Sequence, residues 1–113
     1  SGRAMSCPYM EILLNSIPIS EESADIQYGA GVAIFITGSY GPVYGHGGWI
    51  PGYCSSLRYY SEHGISIAFQ INTDIGMMND STPVIQEMES CLAEIIISAA
   101  SHQKFQISSS DFR

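Results

Sequence analysis

Two periodicities of apolar residues run through this chain. Between Ile65 and Asn72, the residues Ile65, Ile67, Phe69 and Ile71 alternate with Ser66, Ala68 and Gln70. That two-residue repeat predicts a strand with one face on a core and the other smaller and more polar. Further on, Val84, Ile85, Met88, Cys91, Leu92, Ile95, Ile96 and Ala99 recur at spacings of three and four, while Glu87, Glu89 and Glu94 lie off that face. This predicts an amphipathic helix from about Pro83 to Ala100. Thr82 suits its N-cap, Pro83 its first helical position, and the glutamates begin near the positive end of the dipole.

The remaining elements are shorter. Met10 to Leu14 predicts a helical turn or two, and the polar run Ser20 to Asp25 a loop. From Gly31 to Thr37, the β-branched and aromatic run Val32-Ala33-Ile34-Phe35-Ile36 predicts a strand buried on both faces. Gly38-Ser39-Tyr40-Gly41-Pro42 is turn chemistry leading into Val43 and Tyr44. Gly45 to Gly52 holds four glycines, His46, Trp49 and Pro51, and by local propensity alone it predicts a shaped loop. Tyr53 to Tyr60 is a further strand, joined to the alternating one by Ser61-Glu62-His63-Gly64, a hairpin connection with glycine where a left-handed residue is often needed. The fold class is α+β: an antiparallel sheet with a C-terminal amphipathic helix packed on one face.

Composition narrows the functional classes. At 113 residues the chain suffices for one compact domain. Eleven Asp and Glu face four Lys and Arg, a formal net charge of -7, so no basic row exists to neutralise phosphates and nucleic acid is not an expected partner. The longest apolar stretches fall short of the roughly 20 residues of a membrane span. Cys7, Cys54 and Cys91 form no CxxC pair and have no histidine at ligand spacing; no metal or other cofactor is expected, and all three are read as small buried apolar residues. Ser1-Gly2-Arg3-Ala4 ahead of Met5 fits a vector remnant, and the compartment stays open.

Three stretches then belong together: Tyr28-Gly29-Ala30-Gly31, Tyr44-Gly45-His46-Gly47-Gly48-Trp49-Ile50-Pro51-Gly52-Tyr53, and Ile71-Asn72-Thr73-Asp74. In order and spacing they resemble the C-terminal part of the serine β-lactamase-like family, which includes class C β-lactamases, D-alanyl-D-alanine carboxypeptidases, D-aminopeptidases and related esterases. The resemblance covers roughly Tyr28 to Ala100 and implies a partial β-lactamase/transpeptidase-like fold. It divides the chain into an N-terminal extension (1–27), the C-terminal part of such a domain (28–100) and a polar tail (101–113).

By the same resemblance, His46-Gly47-Gly48 occupies the third active-site element, on a strand lining the cleft opposite the nucleophile. Gly47 and Gly48 would let a substrate backbone approach closely, and the Trp49 N–H would be one of two oxyanion donors. His46 would position substrate or tune proton transfer, with Tyr44 and Tyr53 as candidate substrate contacts. Histidine in place of the lysine of classical β-lactamases leans towards esterase or aminopeptidase-like members.

What the family places earlier in its chains is missing. Nothing before His46 matches the Ser-x-x-Lys nucleophile or the Tyr-x-Asn relay; Ser101-His102-Gln103-Lys104 spells the former but follows the final helix, and Tyr60-Ser61-Glu62 is not the latter. The expected function is therefore a C-terminal segment of a serine hydrolase acting on an amide, ester or β-lactam, inactive by itself. Its expected partners are the missing N-terminal part and further copies paired through exposed sheet edges. If the parent follows most of the family, it is periplasmic or secreted. The alternative is a non-catalytic α+β binding or assembly module.

Overall fold

The computed structural model describes residues 5–21, 25–76 and 84–110, with side chains through 103. Helix α1 (Cys7–Leu14) is followed by β1 (Ile17–Pro18), β2 (Ile26–Tyr28), β3 (Ala33–Phe35), β4 (Val43–Ile50), β5 (Tyr53–Tyr60), β6 (Ile65–Ile71) and helix α2 (Val84–Ser110). The strands form one antiparallel sheet in chain order, β1 to β6. The class expected from the pattern, a sheet of antiparallel strands with a C-terminal helix, is the one found.

The chain divides into two compact units, Ser1–Gly48 with Ser55–Phe69, and Trp49–Cys54 with Gln70–Arg113. In the first unit, register pairs Ile17 with Tyr28, Gln27 with Ile34, and Ile34 with Tyr44. Ile34, Tyr60 and Ile67 are its buried apolar residues. Phe35 lies under the Arg58 guanidinium, 4.8 Å from its ring centroid, so an apolar side chain at the margin of the core also holds a cation. Ser56 is buried too, and among the described residues no buried side-chain polar atom lacks a partner. In the second unit, Cys54, Ala93 and Ile97 are buried.

Several local expectations change. The strand expected from Gly31 to Thr37 shrinks to Ala33–Phe35, with Ile34 buried and Ile36 exposed. A β-branched run supplies propensity on both faces, but burial here selects one position. Two short strands not expected from the pattern, β1 and β2, lie on either side of the Ser20 to Asp25 run, β2 ending at the Tyr28 that opens the Tyr28-Gly29-Ala30-Gly31 stretch. Cys54 is buried as expected, whereas Cys7 and Cys91 are exposed.

Helix α2 runs on to Ser110 instead of stopping near Ala100, because no Gly or Pro interrupts it. Its buried side is also displaced: Ala93 and Ile97 are buried, Leu92 and Glu89 half-buried, while Met88, Cys91, Ile95, Ile96 and Ala99 are exposed. Three consecutive isoleucines, Ile95 to Ile97, satisfy more than one phase of a 3.6-residue repeat, so spacing alone could not select the face. The expected cap at Thr82 and Pro83 lies outside the described residues.

Candidate functional site

The glycine-rich stretch is not a loop. β4 continues through it to Ile50, leaving Pro51 and Gly52 as the turn into β5, with Gly52 at φ 87°. Local propensity misjudged it because glycine weakens a strand except where another backbone approaches closely. Such an approach occurs here. A Cβ on Gly45 would collide with the carbonyl oxygen of Leu57 on β5, so that position admits no side chain.

The next two glycines have different reasons. A Cβ on Gly48 would meet the Oγ of Ser55, a hydroxyl that a single χ1 rotation can move. A Cβ on Gly47 would find only the Ser55 carbonyl oxygen, at 3.8 Å, an ordinary contact. Among the described residues nothing demands glycine at 47. The missing side chain there leaves an exposed stretch of backbone open to something outside it.

His46, between Gly45 and Gly47, is exposed and held at both ring nitrogens. Its Nε2 lies 2.6 Å from the Tyr28 hydroxyl, and its Nδ1 makes a short contact with the Gly47 carbonyl oxygen. The rings meet edge to face, centroids 5.7 Å apart. Tyr28 reaches this point because β2 ends there and the chain is fixed immediately afterwards. Gly29 donates its N–H to the Val32 carbonyl at 2.8 Å, and Ala30 donates to the Leu13 carbonyl at the end of α1 at 3.1 Å. A Cβ on Gly29 would strike that same Leu13 carbonyl oxygen. Glycine thus permits α1 and the end of β2 to meet.

Of the residues expected at the site, His46, Gly47 and Gly48 stand consecutively on β4 in the first unit, and Tyr44 is half-buried on the same strand opposite Ile34. Trp49 and Tyr53 belong to the second unit; both are exposed, Trp49 to 60%. Tyr28 is the residue that sequence reasoning left without a role. Its signal was the Tyr28-Gly29-Ala30-Gly31 stretch itself, but the hydrogen bond spans 18 residues of sequence, and no spacing rule joins the two.

This chain spells Ser-x-x-Lys once, at Ser101 to Lys104. Lys104 is its single lysine. Ser101 lies within α2 and donates its hydroxyl to the Ile97 carbonyl at 2.9 Å. Among the described residues no three His, Cys, Asp or Glu side chains cluster as metal ligands, and no described helix is long and apolar enough to cross a membrane.

An antiparallel sheet followed by a C-terminal helix is an arrangement with a counterpart among hydrolases. The chain is similar to the crystal structure of a D-stereospecific amidohydrolase from Streptomyces sp., with 31% identity and a TM-score of 0.58 over 65% of this chain. It spans 22% of that enzyme's length. The similarity supports a relation at the family level, to serine hydrolases of the β-lactamase and penicillin-binding-protein kind, and a hydrolase-like origin for this fold. No family model matches the sequence, and no curated protein does either.

Proposed function

We propose that this chain is the part of a serine amide hydrolase that contributes the glycine strand and one wall of the cleft, with the acylating serine supplied by another segment. The observation that carries the reading is the coincidence of fold similarity to a D-stereospecific amidohydrolase with a β4 whose Gly47 is left open with no described residue that requires it. Gly47 lets the substrate backbone lie against the strand, the Trp49 N–H donates to the oxyanion as the carbonyl becomes tetrahedral, and His46 sets the polarity beside it. Tyr44, on the same strand, borders the bound substrate. The substrate class is an amide of a D-configured residue, in keeping with the neighbour's specificity and with histidine instead of lysine at this element.

The partner implied is the segment bearing the nucleophile. β1 and β6 are the sheet's edges. β1 is two residues long and contains Pro18, which blunts it, whereas β6 offers seven residues of ladder. β6 is therefore where further strands add, and in their absence a second copy pairs there. Light scattering across a dilution series under reducing conditions should show at least a dimer.

The decisive test is an exchange. The segment of the Streptomyces sp. amidohydrolase that this chain matches is replaced by the matching residues of this chain, and the hybrid is treated with a serine-directed phosphonate and assayed on a D-amino acid amide. Labelling and turnover are expected from the hybrid, and no labelling from the isolated chain. A hybrid that melts cooperatively but neither labels nor turns over, or an isolated chain labelled at Ser101, sinks the proposal.

A further inference from the structure

From the bonds at its two nitrogens, we infer that His46 is held in the tautomer carrying its proton on Nδ1, the Gly47 carbonyl accepting that proton and Tyr28, as a positioning residue, donating to Nε2, so that the group this site presents outward is the phenolic oxygen of Tyr28 and not an imidazole N–H. The inference deepens the hydrolase reading, and its first half stands on geometry alone.

The assignment follows from what each partner is able to do. The Gly47 carbonyl oxygen only accepts, so the nitrogen against it, Nδ1, must be the one bearing hydrogen. In a neutral imidazole the other nitrogen then carries a lone pair and no proton. Nε2 lies 2.6 Å from the Tyr28 oxygen; with no proton of its own, it receives the phenolic one. The hydroxyl is thus the donor and its direction is fixed. The edge-to-face ring contact at 5.7 Å holds both planes in that relation.

Two consequences reach the chemistry. Neutral His46 has no N–H to offer a substrate, since both nitrogens are engaged within the chain. Tyr28, having donated its proton, keeps lone pairs on an exposed oxygen, an acceptor suited to an N–H or ammonium group such as the free amine of an amino-acid amide, and ill suited to a carboxylate. The Nδ1 bond also orients the Gly47 carbonyl. Because the peptide between Gly47 and Gly48 is planar and trans, fixing that carbonyl directs the Gly48 N–H to the opposite side.

The experiment is long-range proton–nitrogen NMR on the uniformly nitrogen-15-labelled chain, at a pH where its histidines are neutral. His46→Gln assigns the His46 signals among those of the three histidines. The wild-type chain is expected to show His46 with a protonated, pyrrole-type Nδ1 and an unprotonated Nε2, and Tyr28→Phe is expected to move both nitrogens towards a tautomer average while leaving His63 in place. Protonated Nε2 in the wild type overturns the proposal without any variant; unchanged His46 nitrogens in Tyr28→Phe overturn the positioning role. A hybrid enzyme that fails to turn over leaves this result standing, and a wrong tautomer leaves the hybrid's activity standing, so the two readings fail separately. In an active hybrid, Tyr28→Phe should raise KM for an amino-acid amide with a free amine more than for its N-acylated counterpart; equal effects would count against the acceptor role.

Discussion

The first unit contains two tyrosine–histidine pairs, and they are built in opposite ways. Tyr28 and His46 meet through heteroatoms: a hydroxyl on a ring nitrogen, both side chains exposed, a glycine strand beside them. Tyr40 and His63 meet ring edge to ring face, centroids 5.9 Å apart, with Tyr40 also 6.0 Å from the centroid of Tyr60, which is only 5% exposed. Around the second pair the loops are tied down: Ser61 donates to the Pro42 carbonyl at 3.0 Å, and the Glu62 carboxylate covers Gly41, where φ is 74°. One pair spends its polar atoms on each other and leaves backbone open. The other spends aromatic area on closing the ends of β4 and β5. Residue type alone does not separate the two histidines; what lies behind each does.

The largest effect should therefore come from the anchor of this edge-to-face pair. Tyr60→Ala empties a buried aromatic site and should cost about 3–5 kcal/mol, a large share of the stability of a domain this size. A denaturant midpoint that hardly moves would show that the aromatic end carries no special weight. Gly45→Ala comes next, at about 1–3 kcal/mol, because the Cβ meets a backbone carbonyl that cannot rotate away. It separates the structural part of the glycine strand from the open part: if Gly45→Ala melts like the wild type, the three glycines are not distinct.

The two histidines give the direct comparison. His63→Ala removes an edge-to-face partner from the aromatic group and should cost about 0.5–1.5 kcal/mol. His46→Ala, at an exposed position, should fall within about 0.5 kcal/mol. The measurement is a pair of urea titrations with matched slopes. Equal losses would erase the distinction between a histidine kept for packing and one kept for its nitrogens.

How much of this was legible beforehand depends on the kind of signal. The alternation from Ile65 to Ile71 and the left-handed Gly64 were readable because strand period and turn chemistry are local. The phase of α2 was not, since Ile95, Ile96 and Ile97 fit two faces and only burial of Ala93 and Ile97 decides. The glycine strand was misread as a loop by propensity and rightly read as a strand by resemblance. What makes it a strand is the proximity of Leu57 and Ser55, residues ten or so positions away on β5 that no propensity of residues 45–48 encodes. Tyr28 was invisible as a site residue for the same reason: its partner is supplied by the topology of β2 to β4.

Gly47→Ala should have the smallest effect on the fold and the most pointed effect on function. With only the Ser55 carbonyl oxygen in reach, at 3.8 Å, an added methyl group fits without displacing protein atoms, and the melting midpoint should stay where an ordinary surface substitution leaves it, within about 0.5 kcal/mol. Gly48→Ala is the control, since its methyl group must push aside the Ser55 hydroxyl and yet is answered within the protein. In the hybrid amidohydrolase, a methyl group at 47 stands where the substrate backbone has to lie, and displacing a substrate by about 1 Å costs on the order of 10²-fold in rate. The expected result is a variant that melts like its parent and has lost about that factor in kcat/KM, beside a Gly48→Ala variant with a lower melting midpoint and a smaller kinetic loss. If the order is reversed, with Gly47→Ala unstable but active, the open backbone at 47 is a packing feature after all, and the contrast between the two tyrosine–histidine pairs loses its functional side.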